Sequence, residues 1–119
     1  MSEVVVRRLD EFEILGQGVF HRVRQGLGVT AFGINVEKWP ANSQAYPEHD
    51  ESGSGQEEVY TPLEGQAFLQ VGQEEIELVP GVFARVGPGV RRKIVTRESP
   101  VTLLCIGGVP GGAYEPAEP

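Results

Sequence analysis

The chain has 119 residues and a formal net charge of -7 at neutral pH, with 10 Lys and Arg against 17 Asp and Glu. This length suits one domain with a modest core that folds without disulfide bonds. The acidic balance argues against a nucleic-acid partner, because nucleic acids are bound through clustered Lys and Arg.

The cysteine content and the apolar runs bear on the compartment. Cys105 is the single cysteine, so no internal disulfide can form and a reducing compartment is expected. The N-terminus, MSEVVVRRLDEF, lacks the long apolar core of a secretion signal. No apolar run approaches the roughly 20 residues of a membrane span. We therefore predict a cytoplasmic protein with neither a membrane nor a nucleic-acid partner.

Turn-forming residues recur along the whole chain, with 16 Gly and 9 Pro in total. They leave little room for helices and separate short stretches that are typical of strands. FEIL and VFHRVRQ near the N-terminus are the weaker strand candidates. GVTAFGINVEKW is a stronger one, because Phe32, Ile34 and Val36 alternate with small or polar residues, the period-2 pattern of a half-buried strand.

The second half of the chain predicts a series of further strands: EVYTPLEG, two strands around a tight turn in QAFLQVGQEEIELV, VFARV, RRKIVT and VTLLCIGG. Pro62 predicts an edge or a bulge, because proline cannot donate to a strand ladder. VTLLCIGG is apolar on both faces, which predicts a central, covered strand. Together these stretches predict an all-β sandwich or barrel with no helix longer than about two turns.

An acidic loop precedes the EVYTPLEG strand. It contains His49 and five carboxylates: Glu48, Asp50, Glu51, Glu57 and Glu58. Imidazole and carboxylate groups bind divalent transition metals, but the same residues also suit a solvated loop. Taken alone, the loop does not decide between these interpretations.

The order of these segments resembles the cupin superfamily, which consists of small double-stranded β-helix barrels of the jelly-roll type. The resemblance rests on the His-containing acidic loop, the hairpin that follows it, and the later VFARVGPGV and RRK stretches. It covers about residues 29–108. It implies an all-β cupin barrel, formed by a single domain over residues 1–119 with an irregular C-terminal tail at 109–119.

The resemblance also implies site residues. The first cupin motif has two histidines one residue apart, followed by a glutamate seven residues before a glycine. Here Gly65 matches the glycine, Glu58 the glutamate and His49 the first histidine, while Glu51 takes the second histidine position. The second motif has a histidine three residues after a Pro-Gly turn, and that position is Arg92.

These departures bear on metal binding. His49, Glu51 and Glu58 form a candidate ligand set for Mn, Fe or Zn, completed by water. Arg92 cannot be a ligand, because a guanidinium group stays protonated and has no free lone pair. It is expected to pair with Glu58 or Glu51, and we therefore predict that any metal binds weakly.

The sequence also predicts the positions of four residues outside the candidate ligand set. Tyr60 shares a strand face with Glu58, so it either packs with its hydroxyl at the barrel mouth or donates to a ligand. His21 is expected at the surface, and Trp39 across the open end of a sheet or in a subunit contact. Cys105 is expected to be an inert core thiol.

Three functions remain open at this stage. The leading prediction is a barrel that binds a small polar or anionic molecule, with these expected ligand-binding residues: His49, Glu51, Glu58, Tyr60 and Arg92. The first alternative is a metal-dependent isomerase or dioxygenase, and the second is a structural dimer with a vestigial pocket. A homodimer is predicted because an apolar outer face on VTLLCIGG would need a cover. Whether the chain is an enzyme stays open, because this fold hosts many chemistries.

Overall fold

The structure is a computed structural model that describes residues 3–114. Over these residues the elements are a 3-10 helix at Leu9–Glu11, β1 Ile14–Leu15, β2 Phe20–His21, α1 Val23–Leu27, β3 Gly33–Trp39, β4 Glu57–Gly65, β5 Ala67–Val71, β6 Glu74–Leu78, β7 Ala84–Val86, β8 Lys93–Val95 and β9 Val101–Gly108. The longest helix in this part of the chain has five residues, which confirms the predicted lack of long helices. None of its helices is long and apolar enough to cross a membrane.

The strands form two antiparallel sheets. One has the order β1-β2-β3-β9-β4-β7 and the other the order β6-β5-β8. The sheets share one apolar core: Tyr46, Tyr60, Ala67, Leu69, Leu78, Val86, Ile94, Val101, Leu103 and Cys105. The predicted all-β jelly-roll barrel is therefore confirmed. β9 lies between β3 and β4, as expected for a central strand.

β4 shows how the chain accommodates proline within a sheet. The strand pairs with both β9 and β7, so it is not an edge. Its register against β9 shifts between Pro62 and Glu64, which places a bulge where the missing donor would interrupt the ladder. β4 ends at Gly65, whose φ of +84° is a conformation that favours glycine.

β3 turns its apolar face outward and its polar face toward the interior, the reverse of what polarity alone suggests. Val36 packs on the outside of the sheet against Phe12 and Val23 of the N-terminal segment. The polar residues Asn35 and Glu37 line the interior cavity. The N-terminal segment therefore supplies a second, smaller core that covers the outer face of β3.

This second core also affects the reason given for a dimer. Leu104 lies on the outer face of β9 and packs within the same chain against the cluster formed by Phe12, Val23 and Val36. That part of the face does not require a second copy of the chain to cover it. The homodimer stays a prediction and no longer draws support from this part of β9.

The N-terminal segment differs from its predicted strands. FEIL contributes only the two-residue β1, and VFHRVRQ contributes β2 before turning into α1 at Val23. Gly28 caps the C-terminus of α1: it has a left-handed φ of +77° and donates its N–H to Arg24 O. His21 was expected at the surface, and this is wrong: it is 4% exposed because β2 pairs with β1 and β3. At the other end, residues 109–114 contain no strand, and 115–119 lie outside the described residues.

Candidate functional site

The barrel encloses a cavity of about 720 Å³. β3 and β4 contribute Asn35, Glu37 and Glu58 to its polar wall, and the segment around α1 contributes Arg22 and Arg24. The loop before β4 adds His49 and Glu51. Strand alternation explains this wall, because every second residue of β3 and β4 faces the interior.

His49 and Arg92 are brought together by the backbone. Each donates its N–H to the other's carbonyl, at 3.0 Å from His49 and 2.8 Å from Arg92. Residues directly opposite in an antiparallel pair place their side chains on the same face, so both side chains enter the barrel. His49 Nδ1 lies 2.9 Å from Pro47 O, and because a carbonyl only accepts, Nδ1 carries the hydrogen. Nε2 lies 3.1 Å from Glu51 Oε2, a contact that is a hydrogen bond only when Nε2 also carries a hydrogen.

The glycine-serine insert of the acidic loop orients Glu51. The backbone N–H of Glu51 donates to Pro88 O at 2.8 Å. Ser54 Oγ donates to Glu51 Oε1 at 2.7 Å, which leaves Oε2 for His49. The insert therefore turns back on itself and holds a carboxylate at the cavity wall.

A connected set of hydrogen bonds fixes Glu58. Its Oε1 accepts from the Tyr60 hydroxyl at 2.6 Å and also from Arg92 Nη2. Because the Tyr60 proton goes to Glu58, the 3.1 Å contact between the two tyrosine hydroxyls must use Tyr46 as its donor. Arg92 Nε also donates to Tyr60, at 3.1 Å. Such chains polarise one another and hold their members in one geometry.

Arg92 lies behind this wall and is not itself part of it. The side chain is fully buried, and its remaining contact is from Nη1 to Val90 O at 2.7 Å. Burial alone lowers the pKa of Arg92, but the contacts with Tyr60 and Glu58 more than offset this and raise it overall. The predicted pairing with Glu58 is confirmed. Arg92 is absent from the residues that line the cavity, so the geometry does not support the expected direct contact with a ligand.

The three candidate metal ligands do converge. One donor atom each from His49, Glu51 and Glu58 lie within 4.8 Å of one another. Two ligands at right angles, each about 2.1 Å from an ion, are roughly 3.0 Å apart, close to the 3.1 Å between His49 Nε2 and Glu51 Oε2. The hydrogen bond from Nδ1 to a carbonyl is also common among metal-binding histidines. By geometry, these residues fit a divalent cation such as Mn or Fe.

Glu37 is a site residue that the sequence analysis missed. Its Oε1 accepts from the indole Nε1 of Trp39 at 2.9 Å, inside the cavity. Burial raises the pKa of Glu37, and the nearby charge of Glu58 adds to the increase, while hydrogen bonds from Trp39 and Cys105 oppose it. The sequence feature that could have identified Glu37 is the alternation in β3, whose polar residues face the cavity.

Two aromatic residues complete this side of the cavity. Trp39 packs edge-on against Tyr46, with ring centroids 5.7 Å apart, and Tyr46 lies 5.6 Å from the ring of His49. Trp39 thus lines the cavity, which the expected packing at a sheet end did not anticipate. Cys105 is buried, and burial raises the pKa of its thiol, as expected of an unreactive core thiol.

The raised pKa of Glu37 predicts a pH-dependent gain in stability for Glu37→Gln. The folded state holds this proton more tightly than the unfolded chain, so wild-type stability falls as pH rises above the ordinary value of 4.5. The amide can still accept from Trp39 but carries no charge. We expect the melting temperature to rise by roughly 3 °C or more at pH 7.5 and to change little near pH 4.

Circular dichroism melts at both pH values would measure this. Glu57→Gln is a suitable control, because Glu57 pairs with Arg85 at an exposed position outside the cavity. A Glu37→Gln variant that is less stable at the higher pH would show that the Glu37 charge is not a cost to the fold.

No family model and no curated protein matches the chain. Solved structures do match it. A cupin protein of Bacteroides fragilis is 25% identical over 88% of both chains, with a TM-score of 0.71. A Thermus thermophilus protein is 22% identical over 93% of this chain and 98% of its own, with a TM-score of 0.67. A sugar phosphate isomerase from a cupin superfamily, from Silicibacter pomeroyi, is 24% identical over 74% of this chain and 57% of its own, with a TM-score of 0.62.

Proposed function

This chain is a small cupin, and we propose that it binds a small polar molecule in the cavity of its barrel. One observation supports this most directly. The inner faces of β3 and β4 present Asn35, Glu37 and Glu58, where a purely structural barrel would present apolar side chains. Burial of polar groups costs stability unless they are satisfied, so a wall of this kind favours a binding role over a vestigial pocket.

On the side of the cavity formed by Glu37 and Glu58, the charge of the wall disfavours an anionic ligand, one of the two kinds expected from the sequence. The cavity is lined by three carboxylates, Glu37, Glu51 and Glu58, and by two arginines, Arg22 and Arg24. Arg22 pairs with Glu13 at 2.8 Å, and Arg24 Nη1 donates to Val29 O at 3.3 Å. The guanidinium of Arg92 already pairs with Glu58 and does not line the cavity. Like charges brought together at a binding site reduce affinity. We therefore restrict the proposal to a molecule that places a neutral or cationic polar group on this side of the cavity.

A cavity-filling pair of variants would test this function. Gly107 lines the cavity, and a Cβ there would meet Gln56 Oε1 at 2.8 Å, whereas a Cβ at the neighbouring Gly108 meets nothing within 4 Å. Neutral polyols, amines and carboxylates would be screened by NMR, with the indole signal of Trp39 as the reporter. We expect the polyols or the amines, and not the carboxylates, to shift this signal in wild type and in Gly108→Val. We expect Gly107→Val to weaken binding at least about tenfold, as when roughly 1.4 kcal/mol is lost.

Two results would count against the proposal. One is a screen in which no class perturbs Trp39 at millimolar concentration. The other is unchanged binding by a folded Gly107→Val variant, which would place the ligand outside the barrel.

A second candidate is a metal-dependent cupin enzyme, an isomerase or a dioxygenase. The convergence of His49, Glu51 and Glu58 favours it. A bound Mn, Fe or Zn would supply Lewis-acid or redox chemistry, while Glu37 and Tyr46 would orient the substrate. Arg92 opposes this function electrostatically, because two unit charges 4 Å apart repel by about 4 kcal/mol at an effective dielectric constant of 20.

Arg92→His is therefore expected to strengthen metal binding. It removes the guanidinium from Glu58 and places an imidazole opposite His49. Calorimetric titration with Mn, Fe and Zn should give at least an order of magnitude higher affinity than wild type. Arg91→His is the control, because Arg91 is an exposed neighbour. Micromolar binding by the wild type, or no gain in Arg92→His, would contradict the expected role of Arg92.

A further inference from the structure

Glu37 has no cationic partner in the part of the chain that the structure describes. Its hydrogen bonds come from Trp39 and Cys105, and no Lys or Arg of residues 3–114 forms an ion pair with it. Glu58, by contrast, is paired with Arg92, and Glu51 lies beside His49. Two arginines, Arg22 and Arg24, also line the cavity, but neither forms an ion pair with Glu37, and Arg22 is paired with Glu13. Among the three carboxylates of the wall, Glu37 is the one that forms no ion pair with residues 3–114.

The rings beside Glu37 are those that attract cations. Trp39 donates to Glu37 and meets Tyr46 edge-on, with an interplanar angle of 61°. Both rings line the cavity. A cation placed over an aromatic face is attracted by the negative charge of that face, most strongly at tryptophan. A carboxylate next to two such rings suits a positively charged organic group.

Asn35 gives a second, independent indication. It lies on the inner face of β3, two residues before Glu37, and lines the same cavity. Its Oδ1 is buried and accepts no hydrogen bond from residues 3–114. Buried acceptors usually have a donor. A protonated amine supplies such a donor together with a positive charge, whereas a quaternary ammonium group supplies the charge alone.

We infer that the molecule bound in this cavity is an organic cation, an amine or a quaternary ammonium compound, whose charge Glu37 balances beside the rings of Trp39 and Tyr46. The inference rests on the proposed function and adds the chemical class of the ligand. This position is distinct from that of a metal ion, which would be held by His49, Glu51 and Glu58.

Four small probes of different charge test the inference: tetramethylammonium, ethanolamine, glycerol and trimethylacetate. Trp39 is the single tryptophan, so its fluorescence reports on this part of the cavity, and calorimetry gives an independent affinity. We expect at least one of the two cations to bind ten times or more as tightly as neutral glycerol. Trimethylacetate, the anion with a shape close to tetramethylammonium, is expected to produce no change. Preference for one cation over the other distinguishes a quaternary ammonium from an amine.

Three variants test whether the preference for cations depends on the charge of Glu37. Glu37→Gln is expected to reduce cation affinity at least tenfold, and Glu37→Asp, which keeps the charge, to retain the preference for cations. Glu57→Gln is expected to match wild type, because Glu57 pairs with Arg85 outside the cavity. If Glu37→Gln unfolds, Glu37→Asp with the four probes still decides the question.

The outcomes separate this inference from the proposed function. Glycerol binding as tightly as the cations, and lost in Gly107→Val, would overturn the inference and leave the proposed function standing. Tighter binding of trimethylacetate, or full cation affinity in Glu37→Gln, would also overturn it. If neither the four probes nor the wider screen perturb Trp39, both fail.

Discussion

Replacing Arg92 with methionine is expected to lower the free energy of unfolding by about 3 kcal/mol, at the lower end of the range for breaking a buried ion pair. The guanidinium is fully buried and donates to Glu58, Tyr60 and Val90 O. Methionine fills much of the volume but leaves Glu58 without its counter-charge. Glu58 keeps some contact with solvent, with 20% of its side chain exposed, which limits the loss. Urea unfolding followed by circular dichroism measures it.

Two further variants make this result specific. Arg91→Met is the control, because Arg91 is exposed and only loosely paired with Glu48 at 3.7 Å, so a change below about 0.5 kcal/mol is expected. Combining Arg92→Met with Glu58→Gln should recover part of the loss, since no unpaired carboxylate remains. A loss of less than about 1 kcal/mol for Arg92→Met would mean that the pair contributes little to the fold.

Gly65→Ala is expected to cost roughly 2 to 4 kcal/mol, because it combines backbone strain with a clash. Gly65 has a φ of +84°, and a Cβ there would lie 2.0 Å from Pro100 O. The obstacle is a backbone carbonyl, so it cannot move aside as the end of a side chain could. The bulge at Pro62 and the start of β5 would have to shift with it.

Gly72→Ala is the matched control. Gly72 also has a positive φ, +59°, but a Cβ there would meet nothing within 4 Å. Its cost should therefore be the conformational term alone, about 1 kcal/mol. The difference between the two losses measures the clash with Pro100. Equal losses, from denaturant titrations of both variants, would show that the backbone near Pro100 yields easily.

Much of the fold could be predicted because its local signals agree. Alternation in GVTAFGINVEKW predicts β3, and the turn at Gly72 and Gln73 separates β5 from β6. Continuous apolarity in VTLLCIGG predicts the central position of β9. Each signal lies within one element and does not depend on its neighbours, so reading it requires no knowledge of the tertiary structure.

The candidate metal ligands could be predicted from the sequence for a different reason. His49, Glu51 and Glu58 stand in order before Gly65, at positions that match the motif of a known family. The structure brings their donor atoms within 4.8 Å of one another. The pairing of Arg92 with Glu58 followed from charge, since a buried guanidinium needs a carboxylate.

The position of Asn35 and Glu37 in the cavity could not be predicted, because it depends on contacts between segments distant in the chain. A period of two shows that Asn35 and Glu37 share a face, but it does not show which face is inside. That was decided by the N-terminal segment, whose Phe12 and Val23 cover the apolar face of β3 and leave its polar face to the cavity. The sequence therefore determined which residues alternate and which could hold a metal. Tertiary packing decided that Glu37 faces the cavity, because the orientation of a two-faced strand depends on what covers each side.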